Sequence, residues 1–516
     1  MQPTFMTSGS SYHTSLAFFF SFVWRVLPTT MAAAEHQHRF LSVMLLLLVF
    51  SSGIANGRSV IKTLPGFSGE LPFYLETGYV GVGQNEKVQL FYYFVKSQRN
   101  PVFDPLMLWL SGGPGCSTLS AFFYENGRLL ITIFGIQVGT RTFPVIFLFK
   151  RQYQNVLLSQ MITSIFQPSN NKDNAIFGQT LNIIFVDAPV GSGFSYSKTQ
   201  EGYIMEDLKY AAQTYEFLKK WLVDHPEFLK NELYVGGDSY SGIPVPMVVQ
   251  EIYYGSPSLN LQGYVLGNPL TDTDNDVNSR IPFAHRLTLI SDELYESAKT
   301  SCNGDYVTVN ASNEQCVADM EAISKLIDQI YVMQVLEPNC GISSRKPKEG
   351  ELNHTHFLTQ LGEKSAYFCH EYNYVFSEIW ANNKDVREAL RVREGTKGHW
   401  VRCNITNLAF TKDVTSTVAY HQNLTNTGLR ALIYSGDHDM SIPHIGTQEW
   451  INSLNLTLDD PWRAWYTDGQ VAGYTETFTN DDFDLTFATG AGHVAIEYKP
   501  KECYAMIDRW FAHYPL

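Results

Sequence analysis

The chain has 516 residues, 44% of them apolar and 14% aromatic, enough to bury a large core. A formal net charge of −14 without any basic block excludes the electrostatic footprint of a nucleic-acid or anionic-membrane binder. No internal repeat, heptad array or zinc-ligand spacing occurs, and nothing in the sequence calls for a metal or a cofactor.

In chain order, the first feature is Phe40 to Phe50, an apolar run of signal-peptide length and too short to span a bilayer. His38 and Arg39 precede it, and the small residues of Ala55-Asn56-Gly57 follow. Residues 1–57 are read as an N-terminal extension plus secretory signal, with translation expected to begin at Met31. Entry into the secretory pathway implies a vacuolar or extracellular protein without a stable membrane span. It also makes the seven cysteines disulfide candidates, one of them left over. Five Asn-x-Ser/Thr sequons, at Asn310, Asn353, Asn404, Asn423 and Asn455, mark expected glycosylation in the second half of the chain.

Within 58–516, Val88 to Val95 alternates as a strand, and Pro105 to Leu110 is a short buried run ending in Ser-Gly-Gly-Pro-Gly-Cys. Residues 128–180 hold two apolar stretches, Leu129 to Phe134 and Phe143 to Phe149, without clear periodicity. Leu181 to Val186 is another strand. Leu208, Ala211, Tyr215, Leu218 and Leu222 then recur on one helical face, ended by Pro226. Strand and helix alternating at this spacing predict a mostly parallel sheet with helices on both faces. Residues 281–410 turn irregular and rich in Asn and Cys, and are read as an insertion capping the active site.

Leu233 to Gly242 reads Leu-Tyr-Val-Gly-Gly-Asp-Ser-Tyr-Ser-Gly, a strand breaking at glycines into a serine. That is the pattern of a nucleophile elbow, which lifts one hydroxyl above a sheet. The elbow's usual last glycine is Ser241, still small. Such a motif alone is weakly specific, but two later segments complete it. Ala431 to Pro443 is a buried strand followed by acids, and Phe487 to His493 is a strand running into Gly-Ala-Gly-His. The order Ser239, Asp439, His493 is that of an α/β-hydrolase. A serine hydroxyl needs an imidazole base, and the imidazole needs a carboxylate to hold its tautomer. Asp437 competes for the acid role. Proximity to Pro443 favours Asp439, leaving Asp437 as a turn-stabilising acid and His438 facing solvent.

With these segments in hand, the chain resembles the plant serine carboxypeptidase-like family. The resemblance rests on Trp109 to Ser117, Asp187 to Tyr196, Gly237 to Gly242, Gly436 to Pro443 and Gly490 to His493. It runs from about Thr63 to Gly127 and from Leu181 to the end. It implies an α/β-hydrolase fold, the triad Ser239, Asp439 and His493, and an oxyanion hole from the N–H groups of Gly113 and Tyr240. Where the family continues Glu-Asn-Gly-Pro, this chain has Glu125-Asn126-Gly127-Arg128. The stretch 128–180 is read as translated intron, or otherwise a lineage-specific insertion.

Peptidases of the family resemble one another in an Asn before the Gly-Gly pair and a Glu before the nucleophile, which hold the substrate's terminal carboxylate. This chain has Ser111, ahead of Gly112, and Asp238. Shorter side chains there bind a carboxylate poorly. Similar choices characterise members that transfer acyl groups from glucose esters. The resemblance therefore implies transfer of a hydroxycinnamoyl or galloyl group from a 1-O-acylglucose donor to a hydroxyl-bearing acceptor. The alternatives are a serine-type carboxypeptidase and a catalytically inactive glycoprotein. By the family's pattern, Cys116 pairs with Cys403, Cys302 with Cys316 and Cys340 with Cys369, leaving Cys503 free. Cleavage of the polar linker Gly341 to Lys364 would then give two disulfide-linked chains.

Overall fold

Leu106, Leu108 and Leu110 belong to one apolar cluster, and the intervening Met107 and Trp109 to another. Successive side chains of a strand point to opposite faces, so this wholly apolar run is a strand buried on both sides. It lies near the middle of the sheet in a computed structural model of the chain. The structure describes residues 57–67, 69–125, 135–138, 141–144, 180–339, 372–480 and 483–516. The leader through residue 56, most of 128–180, the linker 341–364, and Cys340, Cys369 and Asn353 lie outside the described residues.

Eleven strands form the path of the main sheet. They are β1 (Arg58–Ile61), β2 (Leu75–Val82), β3 (Val88–Val95), β4 (Leu106–Leu110), β5 (Asn182–Val186) and β6 (Leu233–Asp238). Then come β7 (Leu261–Gly267), β8 (Arg430–Ser435), β9 (Thr457–Thr467), β10 (Gln470–Asn480) and β11 (Phe483–Thr489). Their spatial order is β1-β2-β3-β5-β4-β6-β7-β8-β11-β10-β9, and Tyr196–Ser197 pairs beside β3. From β5 through β11 in that order every pairing is parallel, while both flanks are antiparallel. Gly135–Val138 and Arg141–Pro144 pair as a separate hairpin, a period that sequence inspection of 128–180 did not detect.

Helices α1 (Asp207–Asp224) and α2 (Pro244–Gly255) cover one face of the sheet. Ala211, Tyr215, Leu218 and Leu222 are buried as their spacing predicts, but Leu208 is 52% exposed and lies off the packed stripe. Val88 to Val95 is likewise buried at every position rather than alternately, because β3 is covered on both faces. Each fully buried Leu, Ile or Val contributes about 1.5–3 kcal/mol.

The insertion is more regular than its composition suggests. It holds α3 (Arg280–Arg286), α4 (Asp292–Ser301), α5 (Glu314–Ile327) and α6 (Tyr372–Ala381). Asn313 is not a loop residue without a role: its side chain accepts the Cys316 N–H and caps α5. Ile281, Phe283, Ala298 and Ile323 pack with Met440 and Ile445 in a third apolar cluster. The C-terminal helix α7 (Pro500–Phe511) closes the sheet face opposite α1, burying Met506, Ile507 and Trp510. Among the described residues no helix is long and apolar enough to cross a membrane.

Candidate active site

The elbow is built by two glycines that the packing demands. A Cβ on Gly236 would stand 2.9 Å from the Trp109 ring, and one on Gly237 would stand 2.6 Å from the Ser241 Cβ. A larger residue at either end of the turn is therefore excluded, and small Ser241 substitutes for glycine. Ser239 follows with φ +57°, the left-handed region that L-residues adopt at a cost of roughly 1–3 kcal/mol. The strain turns its hydroxyl away from the strand, and the residue stays half-buried rather than sealed.

That hydroxyl meets the other two candidates. Ser239 Oγ lies 2.8 Å from His493 Nε2, and His493 Nδ1 donates to Asp439 Oδ2 at 2.6 Å. Asp439 is fully buried, and its Oδ1 accepts the Ser441 and Ile442 N–H groups at 2.7 and 3.3 Å. Burial pulls the His493 imidazole down, but the charge and hydrogen bond of Asp439, with Asp238 adding, outweigh it. The net effect holds the imidazole above its ordinary value. Asp437 instead accepts the Ala491 N–H at 2.9 Å, the turn-stabilising role read from sequence. His438, expected to face solvent, is partly exposed. Its backbone donates to Ala491 O and accepts from Val335 N.

The loop after β4 crosses the elbow at close range. A Cβ on Gly112 would lie 2.6 Å from Ser239 Cβ and 3.0 Å from Tyr240 N, so only glycine lets the two backbones approach. Gly113 follows with φ +115°. The Tyr240 ring is fixed from below: its hydroxyl donates to Asp207 Oδ1 at 2.7 Å. Asp207 also accepts the Asp413 and Val414 N–H groups through Oδ2.

Ser111 and Asp238, singled out from the sequence, are both buried, and among the described residues Ser111 Oγ and Asp238 Oδ1 have no hydrogen-bond partner. Burial pushes the Asp238 carboxyl up to about 6, against the opposing charges of His493 and Arg402. Glu125 is buried within the field of Asp238. Burial, then the charges of Asp238 and Glu497, push its carboxyl well above the usual range, with Arg402 opposing. The Arg402 guanidinium lies 3.6 Å from the centre of the Tyr374 ring, and Tyr374 donates to Glu497 at 2.5 Å. Sequence inspection did not assign Glu125, Arg402 or Glu497 to the site. Arg402 was findable: it immediately precedes Cys403.

Cys403 is disulfide-bonded to Cys116, and Cys302 to Cys316. Cys503 is buried and in no disulfide. Of the sequon asparagines, Asn310, Asn423 and Asn455 are exposed. Asn404 is half-buried, its amide donating to Gly191 O at 3.2 Å.

An elbow serine at the carboxyl end of a parallel strand, with helices on both sheet faces, defines an α/β-hydrolase fold. The serine carboxypeptidase family model matches residues 65–142 and 169–513, and the chain belongs to that family. The unmatched stretch, 143–168, is shorter than the 128–180 set apart from sequence. The chain is 44% identical over 476 residues to Serine carboxypeptidase-like 13 of Arabidopsis thaliana, covering 92% of this chain and 98% of that one. Serine carboxypeptidase-like 17 of the same plant is 45% identical over 478 residues, covering 91% and 97%. Among solved structures, the prohormone-processing carboxypeptidase Kex1 of Saccharomyces cerevisiae superposes with a TM-score of 0.63 over 88% of this chain and 95% of that one. At 15% identity this shows the fold alone.

Proposed function

We propose that this protein is a serine acyltransferase that moves a hydroxycinnamoyl or galloyl group from a 1-O-acylglucose to a hydroxyl acceptor, with Ser239, Asp439 and His493 as its triad. Ser239 Oγ attacks the ester carbonyl while His493 Nε2 takes its proton. The tetrahedral oxyanion is held by the N–H groups of Gly113 and Tyr240, each donor contributing about 3 kcal/mol. Collapse breaks the bond to glucose, which leaves with the proton from His493. The acceptor hydroxyl then gives its proton to His493, attacks the acyl-serine and releases Ser239.

The observation that carries this reading is the pair Ser111 and Asp238. Both are buried, and each has a side-chain oxygen beside the triad without a partner among the described residues. A hydroxyl-rich sugar or acceptor satisfies such oxygens, and both side chains are shorter than the Asn and Glu with which the family's peptidases hold a terminal carboxylate. The carboxypeptidase reading draws on the neighbouring carboxyls. Burial raises both the Asp238 and Glu125 carboxyls, and protonated carboxyls donate to a terminal carboxylate in acid.

The test is incubation of purified protein with a phenolic glucose ester and candidate alcohols, beside a blocked dipeptide. Formation of the transferred ester is expected. Dipeptide cleavage without transfer would establish the peptidase instead, and inertness toward both the inactive glycoprotein. The leader run, the sequons and the disulfides support a secretory-pathway protein of the vacuole or cell exterior. Cleavage of the linker 341–364 into two chains is part of the same proposal and is checked by reducing and non-reducing gels.

A further inference from the structure

The turn after β7 touches both ends of the triad. Leu270 N donates to Ser239 O at 2.9 Å, and Asn268 N donates to Tyr434 O at 2.7 Å. Asn268 is fully buried, with φ +42°, a left-handed conformation that asparagine tolerates better than most residues. Its side chain spans two partners: Nδ2 donates to Asp439 Oδ2 at 2.8 Å, and Oδ1 accepts the Gly436 N–H at 3.2 Å. Asp439 Oδ2 is the oxygen that receives His493 Nδ1–H, so this one atom is shared between the imidazole and the amide.

We propose that Asn268 is a positioning residue of the triad: it aims Asp439 Oδ2 at His493 and moderates the carboxylate charge felt by the imidazole. This rests on the acyl-serine reading above. Asp439's other oxygen is held by backbone alone, so rotation of the carboxylate is checked at Oδ2 by Asn268. The bridge to Gly436 ties the same amide to the start of the Asp439 turn. The charged groups around His493 are Asp439, Asp238 and Arg280, and His444 lies in the field of Asp437 and Asp439. None of these groups donates a hydrogen bond to Oδ2 in the way Asn268 does.

Losing the amide leaves a fuller negative charge beside His493, which favours imidazolium and raises the pH at which the neutral base appears. The test uses the full chain and a fluorophosphonate probe. Labelling of Ser239 in the wild type and its absence in Ser239→Ala establish the serine reading independently of Asn268. Asn268→Gly keeps the left-handed turn and removes the side chain. It is expected to label about 10- to 100-fold more slowly at neutral pH, the loss of a hydrogen bond to a charged group, with its acid limb moved to higher pH. Asn268→Asp, which adds a second carboxyl, should move that limb further. A folded Asn268→Gly with wild-type rate and unmoved limb overturns the proposal. If both variants fail to fold, 15N-asparagine labelling of the wild type decides. A side-chain N–H of Asn268 that follows the His493 titration supports the proposal, and one that stays flat overturns it.

Discussion

The carbonyl of Met333 accepts the His493 N–H at 2.7 Å. Met333 belongs to the stretch that sequence sets apart as an insertion, so that stretch anchors the backbone from which the imidazole projects. Val332 O accepts the Met440 and Ser441 N–H groups, and Val335 N donates to His438 O. One short segment therefore braces the loops carrying both the acid and the base.

Gly492→Ala tests this brace. The new Cβ would press on Met333 O at 2.9 Å and on the Tyr498 ring at 2.8 Å. A displacement of His493 by a fraction of an ångström is expected to lower kcat about 10- to 100-fold with little change in KM. Steady-state kinetics on an ester substrate read the split.

Ser239→Ala and His493→Ala should each lower ester turnover about 10⁴- to 10⁶-fold, and the double variant no further, because the two act as a unit. Multiplying losses in the double variant would show that they act independently.

The hydrogen-bonded set Ser239, His493 and Asp439 was legible because each residue follows a recognisable strand: Ser239 after Val235-Gly236-Gly237, Asp439 after Ala431 to Ser435, His493 after Phe487 to Thr489. The fold followed from the same runs, since parallel strands buried on both faces are wholly apolar. What stayed illegible has no local pattern. Asn268 touches Asp439 across 171 positions, and no spacing rule covers such a contact. Glu125 carries meaning only through its burial beside Asp238. The insertion looked irregular because its helices bury few residues each, as α5 does with Cys316, Asp319 and Ile323.

The pH response follows from two groups. His493 must be neutral to accept a proton and lies above its ordinary value, so activity falls as pH falls through that raised value. Asp238 adds to the rise, and Asp238→Asn should move the acid limb of kcat/KM to lower pH. Stability changes as well. The folded state holds the Asp238 proton up to about pH 6, the unfolded state only to 3.8, so the folded form binds more protons between them. Stability then falls as pH rises through that window. Asp238→Asn should flatten this slope, as measured by urea unfolding at pH 4 and pH 7.

Gly112→Ala places a methyl 2.6 Å from Ser239 Cβ. The loop must retreat from the elbow, separating Gly113 N–H from Tyr240 N–H. A loss of about 10²- to 10³-fold in kcat is expected, the scale of one oxyanion donor, with unfolding temperature changed little. Equal losses in kcat and fluorophosphonate labelling rate would place the effect at the oxyanion.

The Cys116–Cys403 bond joins positions 287 residues apart. At ribosomal speeds of about 5–20 residues per second, Cys116 emerges roughly 15–60 s before its partner. Within that interval Cys302 and Cys316, only 14 apart, appear and can close on each other. The short bridge thus withdraws two competitors before Cys403 arrives. The last covalent tie of the loop after β4 is made only when most of the chain has been synthesised, so a prematurely terminated product carries the elbow serine without it.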